Sequence, residues 1–228
     1  MNDDLKNESS RSKFEVKTAI LIDGGFYRKR AYHYWGSKSP KERADELNSY
    51  CMRLLRNRSE HRQLYRIFYY DCPPINKKVY HPYLHKTVDL GKSDDYVWTT
   101  EFFSELRCRR KFALRLGTLS DNTAQYILKP EAAKKLLNKT ITIDDLVEND
   151  FQFRVEQKGV DMRIGVDIIS MALKKQVDQI ILVSGDSDFV PAAKQGRREG
   201  LDIILAPMGA TIKPDLHEHI DGLINSVK

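Results

Sequence analysis

The sequence predicts an α/β fold, a three-layer α/β/α sandwich around a mostly parallel sheet. Three observations carry that prediction. The segments 17–22 and 179–183 hold unbroken apolar runs of strand length, as strands buried on both faces require. Between such segments lie helix-length stretches with apolar residues at helical spacing. Strand, helix and strand then repeat with short links, the order expected when helices cover both faces of a parallel sheet.

Taken along the chain, residues 1–16 read as a polar, disordered tail, and residues 17–228 as one domain with an insertion around 75–150. The first strand, 17–22, carries Ala19-Ile20-Leu21-Ile22 and ends in Asp23-Gly24-Gly25, followed by a polar and aromatic stretch. A helix is predicted over 40–58. Ser39 caps it, Pro40 opens its first turn, and Leu47, Cys51, Leu54 and Leu55 form its apolar stripe. Residues 65–70, aromatic and β-branched, form the second strand, which Asp71-Cys72-Pro73-Pro74 stops. An irregular insertion over 75–95 leads to a helix over 96–110 and a strand over 112–119. The stretch 120–150 offers one readable signal, a short helix after Pro130. Strand 151–156, helix 161–175, strand 179–183, helix 189–199, strand 201–206 and a terminal helix 214–225 complete the order.

A chain of 228 residues suffices for one sizeable core. With 41% hydrophobic and 31% charged residues, it is neither a disordered polyelectrolyte nor a collagen-like polymer. Its 38 Lys and Arg against 32 Asp and Glu leave a net charge of +6, a weak pointer to a polyanionic partner. Cys51, Cys72 and Cys108 are far apart and form no CxxC pair, which argues against a disulfide framework or a cysteine-rich zinc site. No apolar run has the length of a signal or spanning segment, so a soluble cytoplasmic protein without a membrane partner is expected. Neither a GxGxxG fingerprint nor a GxxxxGKS/T loop occurs, so no nucleotide cofactor is expected.

The chemistry lies in the acids at strand ends. Asp23 follows one buried strand, Asp186 and Asp188 follow another, and Asp161 follows a third candidate strand through Gly159. Open parallel sheets collect ligands beyond the carboxyl ends of their strands. Four acids gathered there repel one another unless cations neutralise them, and oxygen ligands of this kind suit Mg²⁺ or Mn²⁺ better than zinc. Any one of them also reads as a solvated turn or a helix cap; four from three segments are harder to explain that way. Asp167 lies six residues after Asp161, about 120° around a helix, and reads equally as a second-tier site residue or a partner of Lys158 or Lys174.

Arg28 and Lys158 adjoin the acid motifs and are the expected contacts to substrate phosphate. Tyr27, Tyr32, Tyr34 and Trp35 interleave with Arg28 to Arg30; they suit stacking on unpaired bases, or a core or dimer surface. His81, His85, His217 and His219 complete no metal set and are read as non-catalytic.

Three segments, in order, carry a family resemblance. They are Ile20-Leu21-Ile22-Asp23-Gly24-Gly25-Phe26, then Lys158-Gly159-Val160-Asp161 with Asp167, then Leu182-Val183-Ser184-Gly185-Asp186-Ser187-Asp188-Phe189. The chain resembles the NYN family of PIN-like nucleases, especially its LabA-like branch. Tyr69-Tyr70-Asp71-Cys72-Pro73-Pro74 is similar to the second-strand exit of that branch. The resemblance implies a PIN-like nuclease fold that uses a divalent metal to cleave RNA. It also implies Asp23, Asp161 and Asp186 as metal ligands, with Asp188 and Asp167 supporting them, Asp188 as a further ligand or by orienting water. In one departure, Phe26 stands where many relatives carry Asn.

The expected function is therefore Mg²⁺- or Mn²⁺-dependent endonucleolytic hydrolysis of RNA, single-stranded rather than duplex. The alternative is a catalytically weak or inactive RNA-binding regulator that keeps the acidic pocket. A phosphatase would want a second acid two residues after Asp23, where Gly25 stands. Homodimerisation through the aromatic insertion is a further expectation.

Overall fold

In the computed structural model, residues 15–57, 60–225 and 227 are described. The predicted tail therefore lies outside them over 1–14, as does Arg58. In chain order the elements are β1 (Glu15–Asp23), α1 (Gly24–Trp35), α2 (Pro40–Leu54), β2 (His61–Asp71), β3 (Lys78–His81), β4 (Lys86–Asp89) and α3 (Asp94–Arg107). There follow β5 (Phe112–Leu116), β6 (Thr118–Leu128), α4 (Pro130–Leu137), β7 (Phe151–Lys158) and α5 (Val160–Leu173). The chain closes with β8 (Gln179–Val183), α6 (Val190–Arg198), β9 (Asp202–Leu205), α7 (Pro214–Glu218) and β10 (Gly222–Leu223).

Six strands form one sheet in the order β10-β9-β8-β1-β2-β5, every neighbouring pair parallel. β1 and β8 lie at its centre, and their apolar runs are buried on both faces: Ala19, Ile20, Leu21, Ile22 and Ile180 to Val183 are all fully buried. Each such aliphatic side chain contributes roughly 1.5–3 kcal/mol. Alternate residues of β1 feed two separate cores. Ile20 and Ile22 pack with Tyr27 of α1, Leu47 of α2 and Phe102 of α3, while Ala19 and Leu21 pack with Ile164 of α5, Ala193 of α6 and Leu216 of α7. This is the three-layer α/β/α sandwich expected from the sequence.

Several elements depart from expectation. The polar and aromatic stretch after Asp23 is a helix, α1, because the Asp23 carboxylate caps it and Tyr27 and Ala31, four residues apart, are buried. Of the four interleaved rings, Tyr27 enters the core and Trp35 packs edge-on against Tyr50, whereas Tyr32 is 66% exposed. The helix predicted over 40–58 begins as expected, with a Ser39–Glu42 capping box and Pro40 in its first turn, but stops at Leu54. β1 begins at Glu15, where the tail was expected to continue, because it pairs with β2 from its first residue. The terminal helix ends at Glu218, and Gly222 and Leu223 instead add a sixth strand beside β9.

The region 75–150 divides into parts. β3 and β4 form an antiparallel hairpin, and α3 and β5 return to the sandwich. β6 and β7 then leave the sheet as a separate antiparallel ribbon. The predicted strand at 151–156 therefore exists but does not join the main sheet. His81, buried on the hairpin, lies 4.2 Å from the ring of Tyr126 on the ribbon, centroid to centroid, a packing role in keeping with its non-catalytic reading. Cys51, Cys72 and Cys108 are free thiols. Among the described residues, no helix is long and apolar enough to cross a membrane.

Candidate active site

The chain reverses direction across the sheet between β1 and β8: β2 lies on one side of this pair and β9 on the other. Such a switch point opens a crevice beyond the carboxyl ends of the strands. Asp23 is the last residue of β1. Asp186 and Asp188 follow β8 directly, and Asp161 stands in the first turn of α5. Asp161 thus reaches the rim from a helix start below the ribbon, not from a strand of the sheet.

Local hydrogen bonds fix the loops that carry these acids. The Phe26 N–H donates to Asp23 Oδ1 at 3.1 Å, and the Ser184 hydroxyl approaches Asp23 Oδ2 at 3.5 Å. The Asp186 N–H donates to Ser184 Oγ at 3.2 Å, and the Asp188 N–H to Asp186 Oδ1 at 3.1 Å. Ser184 therefore ties the end of β1 to the loop after β8. Two glycines permit the close packing. A Cβ on Gly24 would lie 2.6 Å from Asp71 Oδ2 and from the Tyr70 carbonyl, and one on Gly185 would lie 2.8 Å from the Phe26 ring. Phe26 packs on the backbone of the Asp186 loop.

The electrostatics show which acids share this rim. Burial pushes the Asp23 carboxyl above its ordinary value; the Phe26 N–H opposes the shift, and the charges of Asp161, Asp71 and Asp186 add to it. Burial, then Asp186 and Asp188, raise Asp161 in the same way. Asp186 is thus an electrostatic neighbour of both Asp23 and Asp161, and Asp188 of Asp161, and among the described residues none of the four forms an ion pair.

Two other acids are neutralised. Asp71, the last residue of β2, is 2% exposed and accepts from Arg28 Nη2 at 3.2 Å, from the Cys72 N–H at 2.8 Å and from the Tyr69 hydroxyl at 3.4 Å. Burial nevertheless holds its carboxyl above the ordinary value, against the pull of Arg28. Sequence reasoning placed Asp71 at a strand exit without assigning it to the site. Its signal was the same as that of Asp23, an acid closing a buried strand. Asp167 accepts from the Tyr70 hydroxyl at 2.8 Å and from Arg115 Nε at 3.1 Å.

Of the two expected phosphate contacts, Arg28 gives its guanidinium to Asp71 and reaches Thr99, while Lys158 is exposed and lies 3.4 Å from Glu156. Lys213, which the sequence did not single out, donates to Ser187 Oγ at 3.1 Å and so stands beside the Asp186 loop.

The donor set at the rim is all carboxylate and lacks a basic partner, which suits a hard divalent cation. Among the described residues, no group of three or more His, Cys, Asp or Glu side chains is placed to hold a metal ion.

The NYN domain model matches residues 101–225, just over half the chain. The matched span holds Asp161, Asp167, Asp186 and Asp188 and begins after Asp23. No curated protein and no solved structure matches the chain.

Proposed function

The chain belongs to the NYN domain family of PIN-like nucleases, and from that premise we propose that it is a divalent-metal-dependent endoribonuclease acting on single-stranded RNA. One observation carries the reading: Asp23, Asp161, Asp186 and Asp188 come from three chain segments, burial and neighbouring acids hold the Asp23 and Asp161 carboxyls above their ordinary values, and among the described residues none of the four forms an ion pair. A fold gains no stability from such a group, so a ligand that supplies positive charge accounts for it.

In this reading Asp23, Asp161 and Asp186 hold Mg²⁺ or Mn²⁺, with Asp188 completing the set or orienting the attacking water. The bound metal would polarise phosphate oxygens and lower the pKa of water. The protein's own part is to hold the carboxylates in place. Asp23 is fixed by the Phe26 N–H and Ser184, and Asp186 by its bond from Asp188. Lys158, three residues before Asp161, and Lys213, bonded to Ser187, are exposed and supply positive charge to flanking phosphates, and their contribution falls with salt. Arg28 acts by keeping Asp71 neutralised at the edge of the site. Asp167 positions Tyr70 and Arg115. Membership of the LabA-like branch and a cytoplasmic location belong to the same proposal.

A second reading has its own observation. Phe26 fills the position of a family Asn and seals Gly185, and the carboxylates stand open, as in an RNA-binding regulator that no longer turns over. A purified-protein assay on labelled single-stranded RNA in Mg²⁺, Mn²⁺ or EDTA separates the two. Cleavage that needs metal and disappears in Asp186→Asn with folding intact supports the nuclease. Metal-independent binding without cleavage supports the regulator.

A further inference from the structure

A second concave feature adjoins the rim and is not used by the chemistry above. It is an open-mouthed cavity of about 340 Å³ between α1, α3, the loop after β2 and the β6–β7 ribbon. We propose that this cavity receives one unpaired nucleobase of the RNA substrate, next to the phosphate held at the acids. The proposal rests on the ribonuclease reading for its substrate and deepens it by assigning a base-binding subsite.

Position is the first argument. Arg28 lines the cavity and also pairs with Asp71, and a Cβ on Gly24, the residue after Asp23, would lie 2.6 Å from Asp71 Oδ2. The Arg28–Asp71 pair therefore stands between the cavity and the end of β1, so a nucleotide beside the bound phosphate can place its base there. Volume is the second. About 340 Å³ lies at the small end of ligand pockets, about 300–1,000 Å³, enough for a base and too little for a folded peptide.

The walls are the third. Tyr96 of α3 and Phe153 of β7 supply aromatic rings, and Leu119 adds apolar surface. Phe153 is braced by an edge-on contact with Tyr126 at 5.6 Å, and Tyr126 by His81. A ring held by its neighbours loses little freedom when a base stacks on it. Polar groups at the same wall are Asp95 and Gln157, both exposed and therefore available to a base edge, together with the Arg28 guanidinium. Apolar faces with a few edge-directed polar groups are the requirements of unpaired base recognition. A base inside a duplex offers neither its faces nor its pairing edge.

The ribbon explains why the sheet alone lacks this site. β6 leaves β5 at the sheet edge, and β7 returns directly to α5, the helix that carries Asp161. The same excursion that delivers Asp161 to the rim thus roofs the cavity.

The test reads binding, so that it does not depend on turnover. Short fluorescein-labelled single-stranded RNAs, each with one abasic position, are titrated with the full-length Asp186→Asn chain in Mg²⁺, and affinity is followed by anisotropy. One position is expected to lose about tenfold in affinity when its base is removed, as the loss of one stacked base implies. In chains that also carry Tyr96→Ala or Phe153→Ala, intact RNA is expected to bind about tenfold more weakly and the abasic penalty to vanish. The abasic scan needs no cavity variant, and Gln157→Ala, at an exposed position, guards against misfolding by reducing discrimination among the four bases at that same position. A flat abasic scan overturns the proposal. So does a penalty that Tyr96→Ala and Phe153→Ala both leave intact, or equal affinity for duplex RNA. Base-dependent binding by a wild-type chain that cleaves nothing upholds the cavity and overturns only the hydrolysis.

Discussion

β1 and β2 end side by side in the sheet, Asp23 opposite Tyr70 in register, and each strand closes on an aspartate. The two ends treat that acid in opposite ways. Asp71 is buried, paired with Arg28 and bonded by the Cys72 N–H and the Tyr69 hydroxyl. Asp23 has one backbone donor and a distant hydroxyl and forms no ion pair; Asp161, Asp71 and Asp186 raise its carboxyl, and Arg28, bonded to Asp71, reaches it only through space. Asp167 repeats the pattern of Asp71 with Tyr70 and Arg115. An acid that the fold uses for itself has been given a cation. One left among other acids raises the free energy of the folded state and is kept for what it binds.

The largest effect that tests this contrast is on catalysis. Asp186→Asn or Asp161→Asn is expected to lower RNA cleavage by roughly 100-fold or more, while the unfolding midpoint at pH 7 without metal stays level or rises. A fall in both would place these acids with Asp71. Asp71→Asn should do the reverse. It removes the carboxylate that neutralises a largely enclosed guanidinium, and about 2 kcal/mol of stability should be lost in urea unfolding. Cleavage by the folded fraction should change far less.

The pH dependence sharpens the comparison. The folded Asp23 and Asp161 carboxyls hold protons more tightly than the same groups in the unfolded chain, whose value is about 3.9. Their contribution is therefore fully favourable below that value and is lost as pH rises through the raised folded values. In EDTA, the urea midpoint of wild type should fall across that interval more than that of Asp23→Asn. Adding Mg²⁺ at neutral pH should restore it in wild type only, by binding the folded state. The smallest effect belongs to Asp167→Asn. The amide oxygen still accepts from Tyr70 and only the charge facing Arg115 is lost, so about 1 kcal/mol of stability should go, with cleavage within a factor of about two. A large loss of cleavage with stability intact would move Asp167 to the metal.

Much of this molecule was legible along the chain. The buried strands β1 and β8, the capped start of α2, the alternation that builds a sandwich and the acids at the ends of β1 and β8 all follow from residue order. α1 was not assigned because only two of its apolar positions, Tyr27 and Ala31, are fully buried, with polar residues between them, and its start depends on a carboxylate that also reads as a turn. β7 was legible as a strand, but its pairing with β6 outside the main sheet was not, since its sequence pattern does not name its partner.

What the sequence determined by itself is burial and turn chemistry, because those are set by neighbours within a few residues. Only the tertiary structure decided which acids are neutralised. The donors that quiet Asp71 and Asp167 lie 43, 97 and 52 residues away, as Arg28, Tyr70 and Arg115. Only there, too, do α3 and the ribbon border a cavity beside the rim. Strand register and the path of the ribbon bring such groups within bonding distance, and a one-residue slip in register would turn Tyr70 and Arg115 to the other face of the sheet.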